Sequence, residues 1–412
     1  MLYIKNKLFV FALLFLFLLS ACNQETSSSA GEGYNPDKDT NTQFNQLALI
    51  TNLTDNVISP AYQTFLTQAE RQTQLVQDYC QAEKNILDQT GEQQAVLTAI
   101  DAAQVQWRNT MAAWQQAELM LLGPLLEQDG LLRNNIYSWP IQNSCAVDYD
   151  VLYFQTGEVN GKPYDITQRT PSRKGLGALD YLLFNQDLNH SCDASFAPAG
   201  WSNQTEQNKR VARCNFATEV ASDIQNNAEM LVQQWLALDG YANKLKQAGT
   251  TGNEFNTEHD AVNRISDALF YLDSSTKDGK LATPLGIFAN ECGSTACPQT
   301  VESKYSQNSL ANILNNLIGF EKLLTGNGGL GFTDYLLDVG DDSTATEMAN
   351  NVTNTINAIN QVDSSLANEL TNNPEQIEQI HNNVKNITDQ LKTDFITSLA
   401  LELPATSAGD ND

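Results

Sequence analysis

The chain has 412 residues, of which 41% are hydrophobic and 17% charged, and its 49 acidic against 23 basic side chains give a formal net charge of −26. So acidic a chain repels nucleic acid and anionic membrane surfaces, which argues against either as a partner of the folded part. The length is enough for about two domains, each with its own core.

Lys5 and Lys7 precede an unbroken apolar run, Leu8 to Leu19, which ends in Leu19-Ser20-Ala21-Cys22. A run of about twelve apolar residues is too short for a mature transmembrane helix and fits the hydrophobic region of an export signal. The cysteine closes a bacterial lipobox, so residues 1–21 are expected to be removed and Cys22 lipidated, which anchors the chain without a membrane-spanning helix. Asn23 stands where an inner-membrane retention Asp would sit, and by resemblance to Gram-negative lipoproteins this points to the outer membrane. Residues 22–44 carry almost nothing apolar after the cysteine and are expected to be a flexible tether.

Helical spacing dominates from residue 45 onward. Ser59-Pro60 reads as an N-cap with Pro in the first turn, and Phe65, Ala69, Val76 and Tyr79 mark one face. Helices are expected over about 92–122, 207–240, 258–273 and 304–325. Glu158–Thr167, with Asn160-Gly161 inside it, reads as a small hairpin. Met348, Val352, Ile356, Ile359, Val362, Leu366 and Leu370 form one apolar stripe, and Ile377, Ile380, Val384, Ile387, Leu391 and Phe395 form another. A tight turn at Asn372-Asn373-Pro374 should join them as an antiparallel pair. The Gly326–Gly331 loop lacks the Lys-Ser/Thr of a phosphate loop and reads as a helix connector.

The expected class is all-α, as two helical bundles. The Gly-, Asn- and Thr-rich stretch 241–257 marks the boundary between residues 45–245 and 246–405, with 406–412 as a disordered tail. The absence of a long exposed apolar run favours a monomer.

Beyond Cys22 six cysteines remain, an even number that in an exported chain implies disulfides. Cys292 and Cys297 bracket a short loop and form one expected pair; Cys80–Cys145 and Cys192–Cys214 are the expectation for the rest. A zinc site is disfavoured, because there is no Cys-x-x-Cys and the histidines are scattered. His190 and His259 read as exposed loop or helix-start residues. Glu378-x-x-His381 has the spacing of a carboxylate–histidine ligand pair, but a di-iron bundle needs a second copy that the sequence lacks.

Residues 175–185, Gly-Leu-Gly-Ala-Leu-Asp-Tyr-Leu-Leu-Phe-Asn, carry the clearest resemblance. The segment is similar to the signature of imelysin-like proteins, Gly-x-His-x-x-Glu followed by an aromatic-apolar run. Here Gly177 replaces the histidine and Asp180 the glutamate. Other segments resemble the family in its order: Ala113–Glu118 leading to Leu122-Gly123-Pro124, Ile136–Pro140, Arg173, Lys277–Lys280 before Thr283–Gly286, and Glu302–Ser309. The resemblance implies two helical bundles with a functional site between them, a link to bacterial iron uptake, and an older description as metallopeptidases.

On that basis the candidate ligand pocket comprises Trp114, Glu118, Trp139, Arg173, Gly177, Asp180, Pro284, Gly286, Ser306 and Asn308. Trp114 and Glu118 lie four apart on one helix face, and Glu118 has an ion pair with Arg173 as its plain structural reading. Gly177 and Asp180 lie one turn apart, but Gly177 brings no ligand. Glu118 and Asp180 together could hold a hard cation, iron or another divalent ion, through oxygen. For Ser306 an N-cap of the helix at 304–325 competes with a cleft role. A metallopeptidase needs ligands, an open coordination position and a base, and the missing histidine removes the best ligand. The expected function is therefore a non-enzymatic, lipid-anchored ligand- or metal-binding component of iron uptake. A metallopeptidase or a surface interaction protein is the alternative.

Overall fold

The computed structural model describes residues 44–404 together with 29–30 and 407. Cys22, the export signal and the last residues of the tail lie outside the described residues. Strand is confined, among the described residues, to two-residue pairs. One joins β1 (Ser29–Ala30) to β4 (Glu402–Leu403), so part of the expected tether is paired; β2 (Glu158–Val159) and β3 (Lys162–Pro163) form the hairpin anticipated around Asn160-Gly161.

The rest is helix, as the apolar spacing requires. α1 (Gln46–Asn52) passes through a π-turn, Leu53–Ile58, directly into α2 (Ser59–Leu87). The expected N-cap at Ser59 is thus overturned: its hydroxyl donates back to the Thr54 carbonyl within a continuous helix, and Pro60 is tolerated because the wider π-turn lies just before it. α3 (Gln93–Leu119) and α7 (Glu206–Leu236) pack along α2 to form the first bundle. α4 (Glu127–Ile136), α5 (Ser144–Thr156) and α6 (Gly175–Phe184) close one side of it.

Short α8 (Tyr241–Lys246) leads to α9 (Glu258–Asp267), whose Thr257–Asp260 capping box fixes its start. The chain does not stop being helical at 273 as expected. It runs on as an eleven-residue π-helix, Leu272–Ala282, into α10 (Thr283–Leu285). α11 (Ser309–Thr325) begins five residues later than the sequence suggested, because Glu302–Gln307 forms a tight turn with Ser303 and Gln307 at positive φ. The glycine-rich connector leads to α12 (Phe332–Asp338), then α13 (Asp342–Asn360).

The stripe over 348–370 is not one helix: it breaks at Gln361–Ser364, and Ser365 caps a separate α14 (Leu366–Asn372). α15 (Pro374–Gln390) does start at the Asn-Pro turn and packs on α13, continuing through a π-turn to α16 (Ile396–Ser398). α11 rests on α3, and one hydrophobic cluster runs through both halves of the chain. Even α1, at the start of the first expected domain, packs on α9 of the second.

Two of the three expected disulfides are re-paired. The bonds are Cys80–Cys214, Cys145–Cys192 and, as anticipated, Cys292–Cys297. Cys80 on α2 faces Cys214 on α7 because these two helices run side by side, whereas Cys145 opens α5 next to the loop that carries Cys192. Long-range partners depend on helix neighbourhood, which spacing along the chain does not report. Cys80–Cys214 spans 134 residues, so replacing both by Ser is expected to lower stability by about 2–5 kcal/mol. Urea unfolding checks the loss, and non-reducing peptide mapping should recover Cys80 linked to Cys214.

Candidate functional site

A cleft of about 380 Å3 opens between the Tyr137–Gln142 segment, the signature helix α6, the π-helix and the Gln299–Tyr305 loop. Glycine brings these walls together. Gly175 has φ 74°, and a Cβ there would lie 2.5 Å from the Ile136 carbonyl oxygen, so α6 can start directly against the Asn135–Ile136 backbone. Gly279 meets Trp139: a Cβ would fall 2.8 Å from Cη2 of the indole. The indole edge therefore rests on the π-helix backbone. Tyr137, Trp139 and Tyr305 give the cleft aromatic surface, and Gln142, Thr283, Asn290, Gln299 and Thr300 give it amides and hydroxyls.

Asp180 lines the cleft but is already engaged. Its Oδ1 accepts from the Ser306 amide at 3.0 Å, while Arg108 donates to the Ser306 carbonyl at 2.9 Å and to Asn308 Oδ1 at 3.2 Å. Asp180 and Arg108 thus hold the Ser303–Gln307 turn from two sides. Burial is the main cause that raises the Asp180 carboxyl from 3.8 to about 7, with the bonds from Ser306 and the charge of Arg108 opposing it. Ser306 is not an N-cap; its hydroxyl donates to the Ser303 carbonyl. Asn308 takes the N-cap position of α11 without a capping bond.

Behind Tyr137 and Trp139 lies a buried charged cluster. Lys280, from the π-helix, donates to Gln115 Oε1 and to Asn316 Oδ1 at 2.9 Å, and pairs with Glu302 at 3.1 Å. The Tyr137 hydroxyl donates to Glu302 Oε1 at 2.8 Å. Lys280 and Glu302 are each only 1% exposed. Glu118 sits beside them, taking a hydrogen bond from Tyr271; burial lifts its carboxyl from 4.5 to about 7, Lys280 pulls it down, and Glu302 adds to the rise. Oε2 of Glu118, Oε2 of Glu302 and the Ser138 hydroxyl are buried without a hydrogen-bond partner.

Of the residues singled out by sequence, the cleft brings Trp139, Gly177 and Asp180 together, with Pro284 and Gly286 just beyond Thr283. Trp114 is wholly buried against Phe65, with ring centroids 4.9 Å apart. Arg173 lies elsewhere and pairs at 3.0 Å with Asp150, not with Glu118. His190 and His259 are half-buried rather than exposed, beside the carbonyls of Cys192 and Ala400 at 3.1 and 2.9 Å. His381 is buried on α15.

Sequence reasoning passed over Gln115, Tyr137, Lys280 and Glu302 as site residues although each lies in a segment that carries the family resemblance. The available signal was their place in those segments. Arg108, Gln142 and Asn316 gave no such signal.

Glu118 and Asp180 have different neighbours, and among the described residues no three His, Cys, Asp or Glu side chains come together in a way that could hold a metal ion. The donor set does not fit a bare metal bound by protein ligands alone. A Cβ on Gly177 would lie 2.9 Å from Gln142 Cγ: the Gln142 side chain fills that space.

The chain belongs to the imelysin family, whose model matches residues 58–393. Curated proteins give no sequence match. Solved structures share the fold. A protein from Parabacteroides distasonis described as an iron-regulated protein A precursor is 17% identical, with a TM-score of 0.64 over 90% of this chain and 97% of that one. An imelysin-like protein from Psychrobacter arcticum is 16% identical, with a TM-score of 0.58 over 87% and 98% of the two chains.

Two outcomes test the site's electrostatics. Asp180 has a folded pKa raised above its unfolded value, so its stabilising contribution is complete below about pH 4 and is lost as pH rises through about 7. Relative to Asp180→Asn, the wild type should lose about 1–3 kcal/mol between pH 4 and 8, read from urea midpoints; a constant difference would show an ordinary carboxyl. Lys280→Met leaves Glu302 buried without its cation and should cost about 3–5 kcal/mol in the same assay.

Proposed function

We propose that this imelysin-family chain is an exported lipoprotein, anchored through Cys22 at the outer membrane. It acts without catalysis, as a ligand-binding component of iron or other metal uptake, and its ligand occupies the cleft beside α6. The observation that carries the reading is the fate of the signature positions. Gly177 offers no ligand, its space is filled by Gln142, and Asp180 is spent on holding the Ser303–Gln307 turn. A hydrolytic metal centre needs ligands, an open position and a base, and these residues do not supply them together. What remains is a concave, aromatic and amide-lined surface suited to holding a molecule. The iron connection is supported by the description of the Parabacteroides relative as iron-regulated.

Deleting the gene should lower cell-associated iron under iron limitation, measured by elemental analysis. The wild-type gene should restore it, whereas Cys22→Ala should leave the protein out of the membrane fraction and fail to do so. Unchanged iron content would sink the uptake reading. Peptide hydrolysis by the purified zinc-loaded chain, lost in Asp180→Ala, would favour the metallopeptidase.

A further inference from the structure

We infer that the cleft takes iron as an electroneutral organic chelate of the hydroxamate kind, and neither as a bare ion nor as an anionic chelate. The inference rests on the iron reading above and adds the chemical class of the ligand. Four features of the cleft carry it.

A bare ion finds no donor set. Asp180 is the buried carboxylate at the cleft, its Oδ1 is bonded to the Ser306 amide, and its raised pKa leaves it largely protonated below neutrality. No group of three potential ligand side chains exists among the described residues.

An anionic chelate finds no cationic receptor. Lys304 at the cleft is exposed and is offset by exposed Glu291, which also lines it, while Lys280 lies behind Trp139, committed to Glu302. Recognition of citrate- or catecholate-type chelates calls for convergent Arg or Lys side chains. The chain as a whole, at −26, repels them.

An uncharged chelate meets what the cleft does offer. Three singly charged hydroxamates cancel the charge of ferric iron, leaving a compact shell of apolar linkers and amide-like oxygens. Tyr137, Trp139 and Tyr305 provide flat apolar faces for the linkers. Gln142 lines the cleft, and its Nε2 is buried with no hydrogen-bond partner, a donor that a turn of the amide toward the cleft would offer to a ligand oxygen. A cavity of about 380 Å3 falls in the range that encloses much of a small organic ligand.

The cleft is also rigid enough to select. Trp139 is seated on Gly279, and the turn that carries Tyr305 is held by Asp180 and Arg108. Preorganised walls lose little entropy on binding.

The experiment is calorimetric titration of the full chain with four probes: ferrichrome, a neutral trishydroxamate; its metal-free form; ferric citrate; and ferric nitrilotriacetate as a source of the ion. Ferrichrome should bind with one-to-one stoichiometry, more tightly than its metal-free form, and ferric citrate should not bind. Trp139→Ala should weaken ferrichrome about tenfold and Gln142→Ala about fivefold. Gln142→Ala keeps every buried charge in place, so it remains informative should Trp139→Ala fail to fold.

Tighter binding of ferric citrate, or transfer of iron from nitrilotriacetate to the chain, would overturn the chelate proposal and leave the iron reading standing. Equal affinity for the metal-free form, or no heat with any probe, would overturn both. Ferrichrome binding unchanged in both variants would remove the cleft as its site.

Discussion

The ammonium of Lys280 is the point on which the rest of the site depends. It leaves the π-helix and reaches Gln115 on α3, Asn316 on α11 and Glu302 at the start of the Ser303–Gln307 turn. Four segments are thereby fixed to one another, α3 being distant in sequence from the other three, by a single cation that water does not reach. Buried in this way the ion pair contributes little net stability compared with a well-packed apolar alternative. Its effect is positional: with Lys280 in place, Glu302 must sit where the Tyr137 hydroxyl bonds it, and this sets the Tyr137–Pro140 wall. The π-helix has a matching role. Its wider turn lets Lys277, Gly279 and Lys280 present two buried ammonium groups and one bare backbone patch, and Trp139 occupies the patch.

A second clamp complements the first. Asp180 and Arg108 grip the far end of the same turn, so that it is held by charge at both ends and by Ser309 donating to the Glu302 carbonyl. Ser303 and Gln307 adopt positive φ there, which non-glycine residues accept only where the surroundings enforce it. A loop forced into shape by two independent electrostatic clamps is a surface with one conformation. That is what a cleft wall needs if it is to recognise a ligand rather than close upon it.

Helix identity was legible in the sequence because burial is periodic: Ile377, Ile380, Val384 and Ile387 read as one face and are one face. What was not legible were the places where backbone geometry departs from 3.6 residues per turn. The π-turn before Ser59 and the break at Gln361 fall inside stretches whose apolar spacing continues, while the π-helix after Tyr271 carries the chain through Asp273–Lys280, where apolar spacing lapses and the helix was expected to end. The disulfide partners of Cys80 and Cys145 depend on which helices lie side by side, and spacing along the chain carries no such information. At the site, Gly177 and Asp180 of the signature segment line the cleft, and Gly175 lets that helix approach its neighbour closely. Lys280 and Glu302 escaped because each stands among other polar and charged residues, as in Lys277-Asp278-Gly279-Lys280 and Glu302-Ser303-Lys304, and reads as a surface position until its partner, 22 residues away in sequence, is seen beside it.

A glycine at residue 177 would ordinarily leave a void in so close-packed a region. Gln142 removes that difficulty: its side chain stands where a side chain on residue 177 would begin. A primary amide does not titrate near neutral pH and presents neutral hydrogen-bonding groups. With Asp180 driven toward its neutral form by burial, α6 and Gln142 together present the cleft with uncharged hydrogen-bonding groups. The architecture of the cleft hangs on the buried Lys280 cluster and not on residue 177.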